Sequence, residues 1–266
     1  TSFFLLWPVL KVAIKSFQTG KGDWSLINFK PILHGTYFHA FVVSIKLSLI
    51  TAIISALIGA LFTFTIVKYA SVKFTNLVDS ACAVFANSGG VPLAFMFISA
   101  FGIEGIITKF LKFIGWDIYS GKFTLFSFTG VCLVYLFFLI PLMVIVFLPT
   151  IQNMRPQWRE ASDSLGGGTL EFWRRVGIPV LTPSFIGAAL LLFVNSFSAY
   201  ATAATLVNVT GFLTTLQIAS ALTSEVGGAN PAEAKALSLL MVAVVTLAMI
   251  LYTLIRKRVS KWESTR

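Results

Sequence analysis

Leu47–Val67 contains twenty-one residues and no ionisable side chain, and Val131–Thr150 repeats the pattern over twenty, relieved only by Cys132 and Tyr135. At 1.5 Å of rise per residue each run measures about 30 Å as a helix, the thickness of a bilayer's hydrocarbon core. Lipid offers backbone amides no partner, so such runs must satisfy their hydrogen bonds internally as helices. A closed barrel would need alternating ten-residue segments, and none is present. The expected fold class is therefore all-α, a polytopic membrane helix bundle.

Hydropathy divides the chain into six apolar blocks, at about 1–14, 39–67, 78–101, 123–148, 178–207 and 236–255. The first begins at Thr1 without a Met and is short for a span, so it is expected to be a helix whose start is missing. The third is interrupted by Asn87-Ser88-Gly89-Gly90 and Pro92, which predicts a break or kink. The chain reads as one transmembrane domain over 1–266, without an internal repeat or a separate soluble domain. Only 11% of residues are charged, against about 25% in soluble domains.

The formal charge of +10 would suggest nucleic acid in a soluble protein, but no basic face or aromatic-basic motif supports that partner. The cations instead sit between and after the apolar blocks. All seven arginines share one side of the expected topology: Arg155, Arg159, Arg174, Arg175, Arg256, Arg258 and Arg266, together with Lys68, Lys73, Lys257 and Lys261. The opposite loops carry only lysines, including Lys21, Lys30, Lys109 and Lys112. This bias predicts a multi-pass protein with both termini cytoplasmic. Gly102–Lys122 is expected to hold a short helix at the interface, and Asn208–Lys235 to be a loop with turn signals at Gly227-Gly228 and Asn230-Pro231. Cys82 and Cys132 read as small buried hydrophobes, and His34 and His39 lack a third ligand, so no metal site is expected.

The informative segment is the cytoplasmic loop over 150–177. Pro156 is suited to the first turn of a helix. Trp158, Ala161 and Leu165 form one apolar stripe on it. Gly166-Gly167-Gly168 stop it, and Phe172, Trp173 and Val176 restart an apolar pattern that enters the fifth span through Pro179 and Pro183. A short helix, a glycine corner and a second short helix make a knob suited to docking.

This segment resembles the EAA loop of permease subunits of binding-protein-dependent type I ABC importers. The positions that match are Glu160, Ala161, Gly166, Val176, Ile178 and Pro179, with Phe172 and Pro183; Ser162 stands where the family carries a second Ala. The resemblance runs from the second span to the sixth. It implies that Glu160, Ala161, Ser162, Leu165, Gly166, Phe172, Val176 and Pro179 couple this chain to an ABC ATPase dimer. It also implies a second permease subunit, an extracytoplasmic substrate-binding protein, and a place in the bacterial plasma (inner) membrane. The sequence has no G-x-x-x-x-G-K-[ST] segment, so ATP and Mg are expected on the ATPase and no cofactor on this chain.

Polar groups within spans are candidates for the substrate pathway: Lys46 in the second span, Asn87 and Ser88 at the break in the third, Asn195 and Tyr200 in the fifth. Each has a purely structural alternative, such as snorkelling for Lys46 or interhelical glue for the hydroxyls. The stretch Asn87–Ile103 is similar to permeases of the polyamine, aminoethylphosphonate, iron and sulfate branch. A polyamine or aminophosphonate is the first expectation for the substrate, with ferric iron, sulfate or another small ion as alternatives. A secondary transporter would call for inverted repeats or embedded charge relays, and an enzyme for a nucleophile, base or metal cluster in the spans. None of these is visible in the sequence.

Overall fold

The structure is a computed structural model that describes residues 7, 11–18, 36–121, 123–207, 213–223 and 231–264, the side chains of 36, 223, 231–233 and 256–264 excepted. Most of the first apolar block lies outside these residues. So do the loop positions Gly20, Lys21, Gly22, Lys30, Pro31 and His34, the turn signals from Gly227 to Asn230, Glu225, and the side chains of the cationic tail.

The described residues are helical throughout, with short connections. In chain order they are α1 (Thr36–Tyr69), α2 (Val72–Asn87), α3 (Val91–Phe101), α4 (Ile106–Phe113), α5 (Phe128–Gln152), α6 (Pro156–Ser164), α7 (Thr169–Phe172), α8 (Ile178–Ser198), α9 (Ala201–Val207), α10 (Thr214–Thr223) and α11 (Pro231–Ser264). Among the described residues, five helical stretches are long and apolar enough to cross a membrane: Tyr37–Tyr69, Val91–Phe113, Phe128–Gln152, Thr169–Ser198 and Ala234–Ile255.

α1 shows why this sequence suits lipid. Its buried face carries Ala40, Ser44, Ser48, Thr51, Ala52, Ser55, Ala56 and Thr63, while Leu49, Ile53, Leu57, Ile58 and Leu61 are exposed. Apart from the buried Leu47 and Ile66, small side chains turn inward and large aliphatic ones outward, which reverses the soluble pattern. They permit close helix contact where no hydrophobic force drives association.

The break expected in the third block is present: the block is two helices, because Gly90 adopts φ +108 and Pro92 follows within the first turn of α3. Two other features differ from the sequence reading. The fifth block, expected as one span over 178–207, breaks between Ser198 and Ala201. Just before it the Ser196 hydroxyl is engaged by Thr51 of α1 at 2.9 Å. The expected loop over 208–235 contains the helix α10, and the last helix starts at Pro231, well before 236. Proline is pre-organised for a first helical turn, so the turn signal there doubles as a helix start.

The chain forms two compact units. The first comprises 1–48, 90–131 and 197–247. In it the Gly90 N–H donates to Thr202 Oγ1 at 2.8 Å, joining the starts of α3 and α9. The Thr214 N–H donates to Ser44 Oγ at 2.8 Å, and Ala236 and Leu237 pack with Tyr37, Ile218 and Leu240. The 102–122 connection holds the helix α4, whose Ile106, Phe110 and Phe113 are exposed; expected to lie at the interface, it instead continues α3 in the apolar stretch Val91–Phe113.

The second unit comprises 49–89, 132–196 and 248–266. α5 is its most enclosed helix, with Val134, Tyr135, Leu139, Met143 and Val144 all buried. α1 approaches it closely at Gly59, where an added Cβ would lie 2.6 Å from Met143 Cβ. Thr51 and Ser196 share a buried hydroxyl hydrogen bond of 2.9 Å. Phe147 meets Phe185 edge to face at 6.0 Å.

Candidate functional site

The 150–177 segment belongs wholly to the second unit, and its corner is built by hydrogen bonds that the sequence makes inevitable. α6 opens with Pro156 and is capped at Leu165. The Gly166 N–H then donates to Asp163 O at 3.0 Å, and the Gly167 N–H to Ser162 O at 2.9 Å. This paired closure needs a left-handed residue at its centre, and Gly166 supplies it at φ +78. A Cβ on Gly166 would meet nothing within 4 Å, so its glycine answers a backbone demand and no internal crowding. Gly167 is different: a Cβ there would lie 2.7 Å from Ser162 Oγ and 2.9 Å from Ser162 O. The small residue at 162 and the glycine at 167 therefore fit each other.

Arg159 ties the two short helices together. Its Nε donates to Asp163 Oδ2 at 3.1 Å and its guanidinium donates to Thr169 Oγ1 at 2.9 Å. The same group lies 5.3 Å from the centre of the Phe172 ring. Phe172 is 5% exposed and packs edge to face with Trp173, which in turn meets Phe64 of α1 at 5.0 Å. Beyond Phe172 the backbone widens into a π turn over Trp173–Gly177, with the Ile178 N–H bonded to Trp173 O. The Trp173 ring lies where a Cβ on Gly177 would be, within 2.4 Å. Arg175 pairs with Glu171 at 3.0 Å on the exposed side.

The eight residues expected to couple to an ATPase divide by exposure. Glu160, Ala161, Leu165, Gly166 and Pro179 are exposed, Leu165 by 89%. Ser162 and Val176 are half-buried, and Phe172 is turned inward as an anchor. Glu160 has no side-chain partner among the described residues. Trp158 is half-buried, so the stripe expected across Trp158, Ala161 and Leu165 is open to the surroundings at its Leu165 end, where Leu170 is also 82% exposed. Sequence reasoning passed over Arg159, Thr169 and Trp173 as the frame of this corner. The spacing of Arg159 and Asp163, four apart on one helix, was the available signal.

The pathway candidates are carried by both units. Lys46 and Tyr200 belong to the first, and both are exposed, Tyr200 by 46%. Asn87, Ser88 and Asn195 belong to the second. The Asn87 amide donates to Ala83 O at 2.8 Å and the Ser88 hydroxyl to Phe85 O at 2.7 Å, so both are engaged by their own helix end. Asn195 is exposed. Thr202 is not among the pathway candidates, yet its hydroxyl accepts from the Gly90 N–H and holds the break there. Among the described residues no three His, Cys, Asp or Glu side chains gather as a metal site would require.

Residues 76–261 match the family described as binding-protein-dependent transport system inner membrane component. The chain belongs to this family. Its relatives include a probable sulfate transport system permease protein cysT from Helicosporidium sp. subsp. Simulium jonesii. That protein is 26% identical over 75% of this chain and 71% of its own length. The sulfate transport system permease protein CysT of Salmonella typhimurium is also 26% identical, over 60% of this chain and 56% of its own length. The permease thus spans little more than half the length of some of these relatives. Among solved structures, a bacterial ABC transporter involved in the import of the acidic polysaccharide alginate aligns with a TM-score of 0.73 at 14% identity, over 97% of this chain and 90% of that one. A second structure of such a transporter, in complex with an alginate pentasaccharide-bound periplasmic protein, aligns with a TM-score of 0.70. At this identity the likeness is one of fold. The polyamine or aminophosphonate expectation draws no support from these relatives, whereas sulfate stood among its alternatives.

Proposed function

We propose that this permease forms half of the translocation pathway for a small oxyanion of the sulfate class. A separate ATPase dimer drives it by pressing on the 150–177 corner. The observation that carries the docking part is the exposed surface of Glu160, Ala161, Leu165 and Leu170 on a corner braced by Arg159 and Phe172. A face open to a partner, on a support that does not yield, is what a transmitting contact requires. Glu160 offers a carboxylate to a cation, and Gly166 leaves its outer side without a Cβ. Motion received there passes through Trp173 into α8 and across the ring contact into α1.

The remaining partners are a second permease subunit, identical or homologous, and a substrate-binding protein on the outer side. ATP and Mg reside on the ATPase, and this chain does no chemistry on the nucleotide. The arginine bias supports a cytoplasmic corner and cytoplasmic termini. The sulfate class rests on the sulfate permeases among its relatives, each about a quarter identical to this chain.

The test is uptake into proteoliposomes containing the permease, its ATPase and its binding protein. ATP-dependent accumulation of labelled sulfate, lost in Glu160→Ala, is the expected result. Accumulation of spermidine or ferric iron in place of sulfate would overturn the substrate class. Transport without ATP would overturn the docking role.

A further inference from the structure

The two uncharged runs of the sequence end at the same place in the second unit. Val67 closes one and Thr150 the other, and beside them lies a groove of about 220 Å³. Its walls include Phe64, Lys68, Ile151, Arg155, Arg159 and Trp173. Runs of about twenty apolar residues fill the hydrocarbon core, so residues just past both ends sit where acyl chains give way to headgroups. The groove has two chemical characters. Phe64, Ile151 and Trp173 form an apolar side, while Lys68, Arg155 and Arg159 supply three positive charges, and no carboxylate lines it. Arg159 is already committed to Asp163 and Thr169. Lys68 reaches the ring of Tyr69 at 4.9 Å, and neither it nor Arg155 has an acid within ion-pair distance among the described residues.

We propose that this groove binds the headgroup of an anionic phospholipid. The phosphodiester faces Lys68 and Arg155, and the glycerol and upper acyl chain lie against Phe64, Ile151 and Trp173. A guanidinium suits phosphate oxygens because its donors form a planar fork, and an ammonium adds a point charge. Tryptophan is favoured at headgroup depth for its mixed character. An acidic segment of a protein would match the charges, but it would leave unused an apolar wall that continues the membrane-spanning helices. Since Arg155 immediately precedes α6, the lipid would grip the root of the corner. The inference needs the chain to sit in a membrane and does not depend on the ATPase docking on α6.

The test is native mass spectrometry of the full chain in detergent, titrated with phosphatidylglycerol or phosphatidylcholine. The chain should retain phosphatidylglycerol selectively. Each cation near an anionic headgroup contributes roughly a fivefold factor, so Lys68→Ala/Arg155→Ala should weaken retention about thirty-fold. Arg155→Lys should keep most of it, and Lys109→Ala/Lys112→Ala, in the other unit, all of it. Gel filtration shows whether the double variant folds; if it does not, Arg155→Gln alone should weaken retention about fivefold. Equal retention of the two lipids, or an unchanged double variant, would overturn the proposal. Displacement of the lipid by millimolar inorganic phosphate would make this a free-anion site, and displacement by the ATPase would make it a protein face; either result overturns the lipid assignment. Capture of the ATPase by the double variant, with lipid lost, separates this inference from the docking role.

Discussion

Alanine at position 166 should loosen the corner without removing a single side-chain contact. Gly166 holds φ +78, and the space where a Cβ would project is empty to 4 Å, so the cost is the left-handed backbone alone. That cost is about 1–2 kcal/mol for a residue with a Cβ. It falls on two hydrogen bonds, Gly166 N–H to Asp163 O and Gly167 N–H to Ser162 O. Local opening cheaper by that amount speeds amide exchange at positions 166 and 167 by roughly 5- to 30-fold at 25 °C. Gly168 is the internal control. Its φ of −74 and ψ of 172 are open to any residue, and a Cβ there also meets nothing. Gly167→Ala should be worse than either, because its Cβ would lie within 2.9 Å of the Ser162 backbone oxygen. Asparagine at 166 should be milder than alanine, since it tolerates the left-handed region. Hydrogen-exchange mass spectrometry on 156–168 reads the series directly. Equal exchange in Gly166→Ala and Gly168→Ala would refute the reasoning, because only the backbone conformation separates the two sites.

Gly59→Ala should lower the melting temperature of the purified chain, with a cost of about 1–3 kcal/mol, because α1 and α5 must part to admit a methyl beside Met143. Thr202→Val leaves the Gly90 N–H without its acceptor, at about 1–3 kcal/mol, and should speed exchange at that amide, while Thr202→Ser should not. Thr51→Val should cost about 1 kcal/mol through the lost bond to Ser196, read as a lower denaturation midpoint in detergent. Arg159→Ala should increase protease cutting between α6 and α7, because it frees Asp163, Thr169 and Phe172 together, with a cost of about 1 kcal/mol or less at so exposed a pair.

The membrane character of the chain was legible because a missing charge over twenty residues admits few structures. The break after Asn87 was equally legible, since Gly90 and Pro92 each act on their own backbone. The break before Ala201 was not. No glycine or proline marks it, so nothing local in the sequence signals it. The corner divides along the same line. Pro156, Gly166 and the i,i+4 pair of Arg159 and Asp163 act locally and are written in the sequence. That Phe172 turns inward while Leu165 stays outside depends on Phe64 and Trp173, brought together only by the packing of α1 against the loop. For the same reason Thr202 could not be told apart from the other hydroxyls of its block until Gly90 stood beside it.

The widened turn from Trp173 to Gly177 holds one residue more than a regular helical turn would. One residue amounts to about 100° of rotation about a helix axis, so this insertion sets the angular phase of everything downstream on α8. Deleting a residue there would swing Ser196 away from Thr51, some twenty positions along the chain, and leave every contact of α6 in place.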